Sequence, residues 1–149
     1  MSQAGPNVSA LDHLVLTVAH IPATRAFYET VMGMTAQEFQ VADGSSRWAL
    51  CFGTSKINLH QQGREFDPKA ACPTAGSADL CFLTETALAD WAQHLSALGI
   101  PVEAGPVPRT GAVSLLTSIY IRDPDQNLIE IAVRRDTPPT TGRTGPIAS

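Results

Sequence analysis

The sequence predicts an α+β fold built from two βαβββ modules in tandem, on three observations. The first is a repeat. His13 opens the run Leu-Asp-His-Leu-Val-Leu-Thr-Val, and Asp79, 66 positions on (79 − 13), opens Asp-Leu-Cys-Phe-Leu-Thr. Gly33 and Gly99 keep the same offset, each closing a stretch of helical spacing. The second is periodicity, which changes in the same order in both halves: an apolar strand run, a helical stripe, then shorter strand runs parted by turn residues. The third is size. A chain of 149 residues suits one domain and buries roughly 70% of its unfolded surface.

In the first half Leu11 to Val18 is a β-rich run in which His13, Val15 and Thr17 share one face and Leu14, Leu16 and Val18 the other. Pro22 suits a helix's first turn, where its missing N–H costs nothing. Thr24, Phe27, Tyr28 and Val31 follow helical spacing, and Gly33 supplies the left-handed stop. Three short strands are expected at Ala36–Val41, Arg47–Phe52 and Lys56–His60, with turns at Asp43-Gly44-Ser45 and Gly53-Thr54-Ser55. From Gln61 to Gly76 the composition is rich in Gly, Pro and charge without a period, and reads as the crossover.

The second half repeats the order. Ala78–Leu83 is a strand, and Leu88, Trp91, Ala92, Leu95 and Leu98 form a helix stripe ended by Gly99. Pro101–Glu103 begins a short strand, Val113–Arg122 is a longer one, and Asp123-Pro-Asp-Gln126 turns into the last, Asn127–Val133. The expected organisation is an N-terminal extension over 1–10, module 1 at about 11–62, a linker at about 63–76 and module 2 at about 77–134. A tail over 135–149 is expected to be disordered, being rich in Thr, Pro and Gly from Asp136 on. Neither half has a second layer to cover its sheet, so two curved mixed sheets are expected to enclose a cavity.

Composition narrows the function. A net charge of −4 and the lack of a Lys/Arg cluster argue against nucleic acid as a partner. No apolar run approaches the roughly 18 residues of a membrane span. The first residues lack the charged and apolar regions of a secretory signal. Three cysteines, Cys51, Cys72 and Cys81, are an odd number without a CxxC pair. Reduced thiols in a cytoplasmic protein are therefore expected, not a disulfide framework or a sulfur-rich zinc site.

Four polar residues interrupt apolar strands: His13 and Asp79 near the start of each half, His60 and Glu130 near its end, the second pair 70 apart (130 − 60). Each alone has an ordinary reading. His13 beside Asp12 suits a capping residue, Asp79 turn chemistry, and His60 a solvated hairpin end. Glu130, between Ile129 and Ile131, is costly to bury without a partner. Together they form a set of two imidazoles and two carboxylates, whose charge balances a divalent cation. Such N/O donors suit Ni, Zn, Mn, Co or Fe. Four protein ligands on an octahedral ion leave two positions open, as in a Lewis-acid catalyst. Arg109, in a loop bounded by Pro and Gly, Tyr120, of cavity-facing parity, and Lys69 are candidate substrate contacts.

The runs around His13, Phe27-Tyr28 with Gly33-Met34, and Ile-Arg-Asp-Pro-Asp-Gln-Asn-Leu-Ile-Glu130-Ile resemble the vicinal oxygen chelate superfamily over residues 10–134. That group holds glyoxalase I, fosfomycin-resistance proteins, extradiol dioxygenases and bleomycin-binding proteins. The stretches Ile-Asn-Leu-His60-Gln-Gln-Gly-Arg-Glu65-Phe-Asp-Pro-Lys69-Ala and Gly105-Pro-Val-Pro-Arg109-Thr-Gly111-Ala are similar to a subgroup of glyoxalase-domain proteins, some labelled bacterial virulence proteins. The resemblance implies a His on the first strand of each module and a Glu on the last. His13 and Glu130 match it; Asp79 stands where a His is usual, and His60 near a usual Glu. It also implies a divalent-metal-dependent lyase of glyoxalase I type that binds vicinal oxygens of a small substrate, a thiol hemithioacetal among them. Glu130 would then move a proton through an enediolate-like intermediate. Two alternatives are an Fe(II) extradiol-type dioxygenase using His13, His60 and Glu130, and a non-catalytic binding or resistance protein. Members form the site within one chain or between subunits, and a homodimer is expected.

Overall fold

The structure, a computed structural model, describes residues 5–135; the expected disordered tail from Asp136 lies outside them. The first module comprises β1 (His13–Val18), α1 (Ile21–Thr30), β2 (Thr35–Gln40), β3 (Ser46–Phe52) and β4 (Ser55–Gln61). The second comprises β5 (Asp79–Leu83), α2 (Leu88–Ala97), β6 (Ala104–Thr110), β7 (Leu115–Arg122) and β8 (Leu128–Arg134). Each forms a four-stranded mixed sheet, in the orders β1-β4-β3-β2 and β5-β8-β7-β6. The first strand of each module lies parallel to the last, and the rest are antiparallel. The two sheets are not joined into one barrel.

Local chemistry explains the boundaries. Pro22 lies in the first turn of α1, and the His20 ring caps that helix by accepting from the Ala23 N–H at 3.2 Å, a role its sequence context did not suggest. The strand expected to begin at Pro101–Glu103 instead runs over Ala104–Thr110, so Arg109 belongs to β6 and not to a loop. Gly and Pro in this stretch read as loop punctuation. An edge strand, however, tolerates Pro because its outer N–H groups need no ladder partner. Gly105 is required there: its φ is +101°, and a Cβ would lie 2.3 Å from the Ser118 carbonyl oxygen.

The strand pleat sorts side chains as the sequence pattern implied. Leu16 and Val18 of β1, Ile57 and Leu59 of β4, Ile119 and Ile121 of β7, and Ile129 and Ile131 of β8 are all at most 5% exposed. They form one core with Tyr28, Val31 and Leu95 from the helices. Leu80 and Phe82 pack against that core, and Phe82 meets Phe52 edge-to-face at 5.3 Å. Among the described residues no helix is long and apolar enough to cross a membrane.

The modules are locked together at the turn before β8. Asp123 is buried, and its carboxylate accepts four hydrogen bonds. They come from the Tyr28 hydroxyl (2.7 Å), the Asn127 side chain (2.8 Å) and the Asp125 and Asn127 backbone (2.9 and 3.0 Å). Burial pushes the Tyr28 phenol far above its usual range, and the Asp123 charge adds to this, so the hydroxyl remains a donor. Asp125 accepts from the Ala19 N–H, and the Asn127 side chain accepts from the Ala78 N–H at 2.8 Å. The first helix, the end of β1 and the start of β5 therefore meet on one turn. Tyr28→Phe removes a hydrogen bond to a buried carboxylate and should lower unfolding free energy by about 1.5–3 kcal/mol in urea titration. A loss below about 0.5 kcal/mol, the level of an indifferent surface change, would contradict this role.

Candidate active site on the second module

A cavity of about 690 Å³ opens on the polar face of the second sheet. Strand register builds its floor in rows. Cys81 of β5, Glu130 of β8 and Tyr120 of β7 are direct cross-strand partners. Asp79 lies two residues before Cys81, which makes it a diagonal neighbour of Glu130, a separation of roughly 7–8 Å for such pairs. Arg109, Leu116 and Arg134 form a further row at the other end.

Glu130 is the best-supported side chain in the cavity. The buried Ser118 hydroxyl donates to its Oε2 at 2.6 Å. The Tyr120 and Cys81 side chains are its cross-strand neighbours, and its charge adds to raising the pKa of both. Arg109 Nε donates to the Tyr120 oxygen at 2.7 Å. Burial is the main cause raising the Tyr120 phenol, opposed by the Arg109 hydrogen bond and reinforced by Glu130. Arg109 is thus bonded to Tyr120, whose cross-strand partner is Glu130. Ser118 was not singled out from the sequence; its parity with Tyr120 was the available signal.

The other expected ligands lie elsewhere. The His13 ring is 2.7 Å from Asp12 Oδ2, its side chain is 41% exposed, and it lines a separate cavity of about 210 Å³. His60 lies opposite Thr17, four residues along from His13, which is about 13 Å at ordinary strand rise. Its ring meets Phe66 of the crossover edge-to-face at 5.4 Å, and Phe66 also stacks under Arg47. Burial, followed by the Arg47 charge, lowers the His60 pKa. His60 lines a cavity of about 240 Å³ with Lys69, Val15 and Thr17, and Lys69 lies 4.0 Å from Glu65. Arg109 and Tyr120 do border the large cavity; Lys69 does not.

Register also revises the repeat. His13 pairs with Lys56 as Asp79 pairs with Leu128, so the residue equivalent to Glu130 in module 1 is Asn58 and not His60. The Asn58 Oδ1 is buried without a hydrogen-bond partner. Among the described residues no group of three or more His, Cys, Asp or Glu side chains is placed to hold one metal ion. Within one chain, Asp79 and Glu130 share the module 2 face, while His13 and His60 share the module 1 face about 13 Å apart along the strands.

Residues 10–131 match the Glyoxalase/Bleomycin resistance protein/Dioxygenase superfamily. The chain belongs to this superfamily. It is 54% identical over 125 residues to the virulence protein STM3117 of Salmonella typhimurium, covering 84% of each chain. The crystal structure of that protein matches at TM-score 0.80 and 51% identity, over 87% of this chain and 99% of that one. A glyoxalase domain-containing protein of Mycosarcoma maydis, RDO1, is 51% identical over 130 residues, covering 87% of this chain and 71% of its own. A structure from the mobile metagenome of V. pseudocholerae, VPC_CASS1, matches at TM-score 0.81 and 53% identity, over 87% of this chain and 98% of that one.

The site makes Cys81 a poor nucleophile although it borders the cavity. Burial pushes its thiol up to about 12, with the Glu130 charge adding to the effect. At pH 7.5 iodoacetamide should therefore modify Cys81 at least about tenfold more slowly in the native protein than in urea. Equal rates by mass spectrometry would contradict a thiol held protonated beside Glu130.

Proposed function

We propose that this protein is a divalent-metal-dependent enzyme of glyoxalase type, acting on a small substrate with vicinal oxygens at the module 2 cavity. The observation that carries the reading is Glu130, a carboxylate held by Ser118 on the floor of a large cavity beside the Arg109–Tyr120 pair. A carboxylate fixed through one oxygen keeps the other for a proton on carbon next to a carbonyl. The Tyr120 hydroxyl, cross-strand from Glu130, stands where negative charge on the substrate would develop, and such a prearranged donor acts most strongly away from water.

The donor types present fit a metal ion, but one chain does not assemble them. Asp79 and Glu130 lie on the module 2 face, and His13 lies on the module 1 face with Asn58. A homodimer that sets module 1 of one chain over module 2 of its partner would add His13 to the two carboxylates. An ion bound by His13, Asp79 and Glu130 would act as a Lewis acid that polarises the substrate's oxygens. Ser118 would orient the Glu130 carboxylate in that state too, as supporting hydrogen bonds do around metal ligands.

Glu130→Gln should keep its fold by circular dichroism and lose at least about 100-fold in turnover of a thiol hemithioacetal, the first substrate to assay. Unchanged turnover would remove Glu130 from the chemistry. Metal analysis of protein purified without chelator should find one divalent ion per site. Its removal should lower the melting temperature, since a hundredfold excess over Kd contributes about 2.7 kcal/mol. A melting temperature indifferent to chelator would contradict metal binding.

A further inference from the structure

We propose that the β6–β7 end of the module 2 cavity is an oxyanion subsite formed by Arg109, Arg134 and the Ser114 hydroxyl. The substrate class is then small acids, whose carboxylate or phosphate group lies away from the reacting oxygens. This rests on the reading of the cavity as the substrate site and adds the charge that the substrate must carry.

Strand register sets the geometry. Arg109 pairs with Leu116, and Leu116 pairs with Arg134, so two guanidinium groups flank one apolar residue in a single row. Arg134 is four residues beyond Glu130 on β8, about 13 Å at strand rise and on the same face. The floor is thus acidic at one end, with Asp79 and Glu130, and basic at the other. Among the described residues neither arginine is ion-paired with an acid.

The basic end is built, not merely charged. Arg109 is held by its bonds to the Tyr120 oxygen (2.7 Å) and the Pro108 carbonyl (2.9 Å). These use two of its five N–H donors and leave the rest for a ligand. The loop between β6 and β7 closes tightly, with the Gly111 N–H on the Ser114 carbonyl at 2.9 Å. A Cβ at Gly111 would lie 2.6 Å from that carbonyl oxygen and 2.9 Å from Leu116 Cγ, so only glycine lets the loop close over the row. Ser114, on the cavity wall, has a buried hydroxyl oxygen without a hydrogen-bond partner. A buried hydroxyl in a folded protein is normally satisfied, and an oxyanion between the two arginines would satisfy this one. Arginine's planar fork suits the paired oxygens of a carboxylate or phosphate.

The test is calorimetric titration of the full chain with inorganic phosphate and, separately, with succinate, at constant ionic strength. Saturable binding of at least one is expected, and the tighter of the two identifies the group as phosphate or carboxylate. Arg109→Gln and Arg134→Gln should each weaken that binding about tenfold or more, and Ser114→Ala about threefold. Arg134→Lys, which keeps the charge and loses the fork, should fall between wild type and Arg134→Gln. Glu130→Gln should bind the anion as wild type does while losing turnover, so the subsite and the proposed chemistry fail independently. Absence of saturable binding of both anions would overturn the proposal. Equal affinity in wild type and both Gln variants would do the same.

Discussion

The carboxylate of Asp123 holds the molecule's halves in one arrangement, and the rest of the structure depends on that. It accepts one bond from Tyr28 in the first helix and three from its own turn, while neighbouring Asp125 and Asn127 bind the backbone at Ala19 and Ala78. The strand ends are thereby set relative to each other. The apolar faces of both sheets then fall into one core with the helices. Because side chains alternate across a strand, satisfying that core commits every other residue to the remaining face. His13, Asn58 and His60 are displayed on one sheet, and Asp79, Cys81 and Glu130 on the other, by the same rule.

Those two polar faces have different characters. The second carries a cavity whose carboxylate is oriented by Ser118 and lies cross-strand from Tyr120, itself bonded to Arg109. The first is partly roofed by the crossover, where Phe66 lies between the His60 ring and the Arg47 guanidinium. A face holding two carboxylates and a face holding two imidazoles and an unpartnered amide oxygen would together complete the proposed N/O donor set. In the proposed dimer they meet, and the acidic end of the cavity becomes the reacting end while the arginine row binds the substrate's charge.

Much of this was legible in the residues. The order of elements, both helix stripes and the parity of His13, Asp79, Tyr120 and Glu130 follow from local periodicity, which needs no knowledge of strand pairing. Register is not local. Counting along the chain matched Glu130 with His60, whereas pairing with β1 makes Asn58 its equivalent. Arg109 looked like a loop residue because Pro and Gly punctuate its stretch, and only its place at a sheet edge explains them as strand residues. Asp123 read as ordinary turn chemistry, since its burial depends on Tyr28, 95 positions away. Ser118 could be placed on the cavity face by its parity with Tyr120, but its role and that of Ser114 are set by what lies opposite them.

The most direct measurement of the central claim, that each site is shared between two chains, is activity on mixing two inactive variants. His13→Ala damages module 1 and Glu130→Gln damages module 2. Random reassortment of the two should restore about a quarter of wild-type turnover, because half the dimers are mixed and each of these carries one site with both residues intact. If every site lies within one chain, each mixed dimer holds only damaged sites and turnover stays at the level of the single variants. That result would contradict the shared site.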